Sequence, residues 1–260
     1  MDTRATDSKV IIYDDSCPMC AWYTGIFINN QMLPPHGRIG FTEIAQSHLL
    51  PQLDLQRARH EIPLIDTNGG ATLYGLDAMV HVIGSRFPLV KHLLRIRPVY
   101  AFFQQFYHFI SYNRRVIAGT AKSAQGIDCT PDVNLTYRSA YLVFAFMVSL
   151  AIGFGFASSL SAYLPLPISS LQTLVLVGSS WALALLPGIM WMPTKKLDYM
   201  GNQVTVVLIG SLSLLPGMVI QSIAGPLSIG IPMVSVVFSL GLMLWEHFRR
   251  VRNLAFGSLH

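Results

Sequence analysis

The run Cys17-Pro-Met-Cys20 contains two cysteines, and this pair of thiols is the clearest sign of a chemical function in the chain. A C-x-x-C pair brings two thiols within reach of each other, so that a dithiol and a disulfide can interconvert. The pair follows a short β-type run, Lys9 to Tyr13, and precedes a segment of helical character, Ala21 to Gln31. At the start of such a helix, free N–H groups and the helix dipole both lower a thiol pKa.

The position of each cysteine predicts its role. Cys17 meets the helix N-terminus first and is the expected nucleophile, while Cys20, one turn on, faces the same side and can attack a mixed disulfide. Pro18 suits the first helical turn, because its missing N–H would have no partner there. Asp14 has two interpretations: it serves as a base for the proton of Cys20, or it caps the helix that follows.

The elements expected around the pair form an α/β domain. Strand-like runs are expected at 9–13, 38–44, 62–66 and 71–74, and helical stretches at 21–31, up to residue 59, and at 76–87. The dipeptide Asn68-Gly69 predicts a hairpin turn between the last two strands. The order β-α-β-α-β-β-α is that of a thioredoxin-like domain, with the C-x-x-C between the first strand and the first helix.

The run from Tyr13 to Cys20 resembles the start of the DCC thiol-disulfide oxidoreductase family, which is named for its D-x-x-C-x-x-C motif. Gly75-Leu-Asp-Ala78 is similar to the glycine-led helix start of that family, and Tyr107 to Arg115 to its terminal aromatic-Arg segment. The resemblance covers residues 9–119. It implies a thioredoxin-like fold and thiol-disulfide exchange through the two cysteines, for which no bound cofactor is needed.

Two further positions bear on this resemblance. Asp15 stands where the family usually has Gly, and its carboxylate is expected to raise the pKa of Cys17. Pro63 resembles the proline that thioredoxin-like proteins place, as a cis peptide, opposite the C-x-x-C, and an ordinary trans proline is the alternative. We expect Pro63, like Pro18, to support the site.

The second half of the chain has the composition of a membrane domain. From Ser139 to Trp245 the only charged residues are Lys195, Lys196 and Asp198. Four apolar runs are near the roughly 20 residues that cross a bilayer as a helix, at 141–160, 171–192, 204–224 and 229–245. A buried bundle of a soluble protein is the disfavoured alternative, since such stretches have no polar face for water. The runs contain no ionisable residue for a proton or ion pathway, so anchoring is their expected role.

Basic residues predict the orientation of these spans. Arg138 precedes the first span, Lys195 and Lys196 separate the second and third, and three arginines from Arg249 to Arg252 follow the fourth. By the positive-inside rule, the N-terminal domain and the C-terminus are both cytoplasmic. We therefore expect an integral protein of a bacterial inner membrane with four regions: a thioredoxin-like domain (1–119), a linker (120–138), an all-α transmembrane domain of four helices (139–248) and a basic tail (249–260).

Other residues give weaker signals. Cys129, just before the first span, is expected to be a bystander, although a third thiol could also resolve a disulfide, bind a metal or carry a lipid. His36, His48 and His60 lack the spacing of metal ligands, so no metal site is expected. Lys91 to Arg115 mixes aromatic and basic residues, as an interfacial helix would, or as a helix packed on the domain's own sheet.

The expected partners are a protein or small-molecule thiol or disulfide and the membrane lipids. No pattern of basic and aromatic residues indicates nucleic-acid binding. Two other functions stay open at this point. In one, the chain is a membrane scaffold or partner-binding protein whose cysteine pair is passive or redox-sensing. In the other, the membrane tail binds a lipophilic substrate or a quinone.

Overall fold

The computed structural model describes residues 6–120, 129–161, 163, 168–191, 196–224 and 229–256. The chain divides into two compact units, of which the first ends at Tyr137 and the second runs Arg138–Phe256. Several expected features lie outside the described residues, namely part of the linker (121–128), the end of the second span with Lys195 (192–195), the segment between the third and fourth spans (225–228) and the end of the tail (257–260).

A mixed four-stranded sheet forms the centre of the first unit. Its strands are β1 (Lys9–Tyr13), β2 (Arg38–Gly40), β3 (Pro63–Asp66) and β4 (Leu73–Tyr74), in the order β2-β1-β3-β4. β1 pairs in parallel with β2 and antiparallel with β3, which pairs antiparallel with β4. Ile11 and Ile12 of β1 are fully buried in two different hydrophobic clusters, because successive side chains of a strand point to opposite faces.

The helices of this unit surround the sheet. They are α1 (Pro18–Asn29), α2 (Phe41–Ile44), α3 (Leu55–Ala58), α4 (Gly75–Arg86), α5 (Pro88–Leu94) and α6 (Arg97–Ala118), with a 3-10 turn at Leu50–Gln52. The expected strand at 38–44 ends earlier, at Gly40. Phe41 and Ile44 are both buried at a spacing of three, which fits a helical turn better than a strand.

The second unit consists of α7 (Leu135–Ser161), α8 (Ser170–Trp191), α9 (Lys196–Leu212), α10 (Leu215–Ala224) and α11 (Gly230–Phe256), the first of which begins in the first unit. Three described stretches are long and apolar enough to cross a membrane, at Leu135–Ser161, Lys196–Ile223 and Gly230–Leu254. The described apolar part of α8, Ser170–Leu186, is shorter. The structure thus supports a membrane tail and gives three of the expected spans.

Polar contacts join three helix ends of the second unit. Arg138, near the N-terminus of α7, pairs with Asp198, near the N-terminus of α9, at 3.7 Å. Near the C-terminus of α11, the guanidinium of Arg250 donates to the side chain of Asn202 at 3.0 Å. These contacts place the N-terminal ends of α7 and α9 beside the C-terminal end of α11.

Gly75 is a position at which the fold of the first unit requires glycine. Its φ is +60°, and a Cβ there would lie 3.2 Å from the side chain of Glu61. We expect Gly75→Ala to lower the free energy of unfolding by about 1–2 kcal/mol, because an L-residue is strained in left-handed backbone. Denaturant unfolding of the full chain in detergent, followed by the fluorescence of Trp22 in this unit, would measure the loss.

Gly25→Ala is the matched control. Gly25 lies within α1, and a Cβ there would meet only the Arg38 guanidinium, at 3.4 Å. Alanine is the better helix former, so this variant should be no less stable than the parent. An equal loss in both variants would contradict the role of the backbone at Gly75.

Candidate active site

Cys17 is the N-cap residue of α1. Its backbone is extended, with φ −100° and ψ 108°, and Pro18 occupies the first helical turn. The Cys17 Sγ accepts a hydrogen bond from the backbone N–H of Cys20 at 3.4 Å. The sulfur therefore satisfies one of the free N–H groups at the helix start and lies at the positive end of the helix dipole.

The two thiols differ strongly in acidity. A hydrogen bond from the Cys20 thiol lowers the pKa of Cys17 from 9.0 to about 7, against the opposing effect of burial. The same hydrogen bond, together with burial, raises the pKa of Cys20. Near neutral pH a large fraction of Cys17 is therefore thiolate while Cys20 keeps its proton. This difference favours Cys17 as the nucleophile, because the thiolate is the reactive form.

Asp14 lies at the end of β1 and is buried. One carboxylate oxygen, Oδ1, accepts hydrogen bonds from the backbone N–H (3.1 Å) and the hydroxyl (2.5 Å) of Ser16. The other oxygen, Oδ2, lies 3.5 Å from Nη2 of Arg114. Since the N-cap of α1 is Cys17, the interpretation of Asp14 as the cap of this helix was wrong.

The carboxylate of Asp15 binds Thr42 of α2. Its Oδ2 accepts hydrogen bonds from the backbone N–H of Thr42, at 3.4 Å, and from the Thr42 hydroxyl. Gly40 leaves room for this contact, because a Cβ there would lie 2.7 Å from the same oxygen. Asp14, not Asp15, is the carboxylate whose charge raises the pKa of Cys17. The expected effect of Asp15 is not among the causes that set the pKa of Cys17. Its carboxylate accepts hydrogen bonds from Thr42 instead.

Arg114 of α6 carries the positive charge of the site. It is buried, its Nη2 donates to the backbone carbonyl of Cys129, and its Nε has no hydrogen-bond partner within the described part of the chain. Burial alone would lower the pKa of Arg114, but the nearby Cys20 and Asp14 raise it, so the guanidinium stays charged. The charge in turn lowers the pKa of Cys17.

From the sequence, Arg114 was placed only within the family-like segment from Tyr107 to Arg115 and the aromatic and basic run from Lys91 to Arg115, and no role at the site was predicted for it. The spacing of Arg114 from two other residues of the segment could have indicated that it faces the site. Tyr107, Ser111 and Arg114 recur at i, i+4 and i+7, so they lie on one face of a helix. All three line the cavity beside the pair.

Pro63 begins β3 and is buried. Its peptide bond is trans, as are all the peptide bonds of the described residues, so the expectation of a cis bond was wrong. The trans form of an X–Pro peptide bond is the more stable one unless the surrounding structure stabilises the cis form. The preceding residue, Ile62, is held on both sides: its N–H donates to the Tyr107 hydroxyl at 2.8 Å, and its carbonyl accepts from the N–H of Gly75 at 2.9 Å.

A cavity of about 590 Å³ lies beside the pair. Cys20, Asp14 and Arg114 contribute to its lining, which is otherwise largely apolar. Cys17 is completely buried, with no exposed surface, and Cys20 is 3% exposed. The cavity therefore reaches the pair on the side of Cys20.

Cys129 is buried in a hydrophobic cluster that includes Ile12 and Phe41. Its burial disfavours lipid attachment, which needs an accessible thiol. Among the residues that the structure describes, no group of three or more His, Cys, Asp or Glu side chains is placed to hold a metal ion.

The fold and the site together define a domain with a mixed sheet and a C-x-x-C pair at the N-terminus of its first helix. The model of the DCC1-like thiol-disulfide oxidoreductase family matches residues 11–120, which confirms the resemblance over this part of the chain. The helical tail lies outside the match. No match was found among curated proteins or among solved structures.

Replacing Arg114 by Gln should raise the pKa of Cys17 above about 7, because a positive charge near the thiolate is lost. The alkylation rate of Cys17 by iodoacetamide, measured by mass spectrometry as a function of pH, would then have its midpoint at higher pH. At pH 7 the rate should fall severalfold relative to its high-pH plateau. Arg114→Lys keeps the charge and should keep the low midpoint.

Arg115→Gln is the control for this experiment. Arg115 is the next residue of α6, and its guanidinium contacts Thr130 and the Thr120 carbonyl. The midpoint for Cys17 should not change in this variant. A normal midpoint in folded Arg114→Gln would refute the electrostatic role of Arg114. If loss of the buried partner of Asp14, about 3–5 kcal/mol, unfolds Arg114→Gln, the double variant Asp14→Asn/Arg114→Gln should still have a higher midpoint than Asp14→Asn alone.

Proposed function

We propose that the first unit is a thioredoxin-like domain that exchanges dithiol and disulfide through Cys17 and Cys20, and that the helical tail anchors it to a membrane. The observation that carries this proposal is the pair of thiols at the start of α1, one with its pKa lowered to about 7 and the other with its pKa raised. The match to the DCC1-like family over the same residues supports it.

The reaction follows from the two acidities. The Cys17 thiolate attacks one sulfur of a substrate disulfide, the S–S bond breaks, and the other sulfur leaves as a thiolate. Cys20 then loses its proton and attacks the Cys17 sulfur, which releases the second half of the substrate as a thiol. Two electrons pass from the dithiol to the substrate, and Cys17 and Cys20 become a disulfide. The reverse sequence oxidises a substrate dithiol.

The high pKa of Cys20 does not persist through this cycle. Its largest cause is the hydrogen bond to the Cys17 sulfur, followed by burial and by the charge of the Cys17 thiolate. Once Cys17 is bound in a mixed disulfide, it carries no negative charge and no longer holds the proton of Cys20. The pKa of Cys20 therefore falls at the step in which Cys20 must act.

Asp14 is the proposed proton acceptor for Cys20. Both side chains line the same cavity, and the charge of Asp14 acts on the pKa of Cys20. A carboxylate in this place can take the proton and pass it to the departing thiolate. Pro18 and Pro63 have a supporting role in this proposal, Pro18 by starting α1 and Pro63 by starting the strand after Ile62.

Complete burial of Cys17 favours one alternative function, in which the pair is passive or senses the redox state. In that case the thiols respond to oxidation without turning over a substrate. Trapping of a mixed disulfide separates the two functions, because only an exchanging pair forms one with a substrate.

Cys17→Ser should reduce the reduction of a small model disulfide by the full chain to the uncatalysed rate, since the nucleophile is lost. Cys20→Ser should retain the first attack and accumulate a mixed disulfide on Cys17, which mass spectrometry would detect. Cys129→Ser is the matched control and should retain the parent rate. Unchanged turnover in Cys17→Ser would exclude the proposed reaction.

We also propose that the tail crosses the membrane four times, with domain limits at 1–119, 120–138, 139–248 and 249–260. The contact of Arg138 with Asp198 supports this number of spans. α7 has 27 residues and is about 40 Å long, so its far end lies on the opposite side of a bilayer. For the N-terminal end of α9 to meet that of α7, the chain must cross back, and α8 is the helix that can do so.

The orientation is proposed from the basic residues, which place the first unit and the C-terminus in the cytoplasm. Asn68→Cys puts a thiol at an exposed turn of the first unit, and Ile229→Cys puts one at an exposed position just before α11. An impermeant maleimide applied to intact cells should label the second variant only. Both should be labelled after permeabilisation, and labelling of Asn68→Cys in intact cells would overturn the orientation.

A further inference from the structure

The cavity beside Cys20 has a polar end and an apolar body. Cys20, Asp14, Ser111 and Arg114 form the polar end. The body is lined by side chains from α1, α4, α5 and α6, among them Phe27, Met79, Ile83, Leu94 and Phe103. A hydrophilic peptide would leave its amide groups without partners along these walls, which is unfavourable. An apolar hydrocarbon chain has no such groups and fits the walls of the cavity.

The size of the cavity suits one small molecule. Its volume of about 590 Å³ lies within the range of roughly 300–1,000 Å³ that is usual for small-molecule pockets. A molecule with its apolar chain in the body of the cavity has its polar end beside Cys20. A disulfide at that end would lie next to the reactive pair.

The rim of the cavity is apolar and open to the outside. Trp22 is 69% exposed and Phe106 is 53% exposed, and both also line the cavity. The apolar area continues over α5 and the start of α6, with exposed side chains at Phe87, Leu89, Val90, Leu93, Ile96, Phe102 and Phe103. We call the exposed side chains of residues 86–106 the α5–α6 surface.

The charged side chains of the α5–α6 surface are all basic. Arg86, Arg95 and Arg97 are exposed there, and the sequence contains no acidic residue between Asp77 and Asp128. Exposed apolar side chains among basic ones, without acids, are the composition of a surface that lies on an anionic bilayer. The chain also has helices long and apolar enough to cross a membrane, so the proposed anchoring tethers this unit to a bilayer.

We infer that the substrate of the pair is a lipophilic disulfide of low molecular weight, which partitions into the bilayer, enters across the α5–α6 surface and places its apolar chain in the cavity. This inference rests on the proposed function, since it names the substrate class of the same site. The chemistry is unchanged: Cys17 forms the mixed disulfide, Cys20 displaces the lipophilic thiol, and the two electrons come from the dithiol.

A series of n-alkyl 2-pyridyl disulfides, from methyl to decyl, tests the inference with the reduced full chain in detergent micelles. Release of pyridine-2-thione reports the attack without any added reductant. Rates are divided by those of a micelle-embedded alkanethiol such as 1-dodecanethiol in the same micelles, which corrects for partition of the probe. The ratio should rise with chain length by up to about fourfold per methylene, the gain from burying one methylene, until the chain fills the cavity.

Cavity-filling variants test whether the rise of the rate with chain length arises from binding in the cavity. Met79→Trp and Ile83→Phe place larger side chains at partly exposed positions of the cavity wall. They should flatten the rise with chain length, measured within each variant as the rate of every probe relative to the methyl probe. Leu55→Trp is the control, at an exposed position of α3 outside both the cavity lining and the α5–α6 surface, and should keep the rise. Either cavity variant suffices if the other does not fold.

The outcomes are distinguishable. A rise with chain length that disappears in a folded cavity variant supports the inference. A flat series, with normal reduction of the methyl probe by Cys17, overturns the lipophilic substrate and leaves the proposed function standing. Faster reaction with an apolar peptide disulfide in that case would indicate a protein substrate. Failure of every probe to react at Cys17 would overturn both proposals.

Discussion

The first unit depends on a single buried charge, that of Arg114. A guanidinium taken out of water is strongly destabilising unless it is paired, and here Asp14 and the carbonyl of Cys129 provide the partners. These partners come from the end of β1 and from the segment that follows α6. The pairing therefore fixes α6 against the end of β1, where α1 and the cysteine pair also begin. The pairing of Arg114 with Asp14 therefore stabilises both the fold of this unit and the geometry of the site.

The hydrogen bond between the two cysteines separates their pKa values, and the charges of Asp14 and Arg114 modify both. Cys17 sits at the helix start, with the N–H and thiol of Cys20 directed at its sulfur, and Arg114 adds a positive potential. The charge of Asp14 raises the pKa of both thiols, so the pKa of Cys17 results from opposing contributions. Because the strongest effect is the hydrogen bond between the two cysteines, the acidity of each depends on the chemical state of the other.

Much of this arrangement could be predicted from local sequence. β1 has the limits expected for it, and α1 begins at Pro18, because turn and capping preferences act over a few residues. The β-type run at 38–44 was partly misassigned, since tertiary packing of Phe41 and Ile44 decides between strand and helix. The partners of Asp14 and Asp15 could not be predicted, because each is set by a residue far along the chain, Arg114 and Thr42.

The ion pair between Arg138 and Asp198 has a consequence for how the tail can vary. Since it joins the N-terminal ends of α7 and α9, the intervening chain must leave and return, and under the proposed four-span topology helices here can be gained or lost only two at a time. Removal of α8 alone would reverse every later helix and carry Arg250 to the opposite side, away from the ends of α7 and α9. A shortened tail that still folds would therefore lack a helical hairpin, not a single helix.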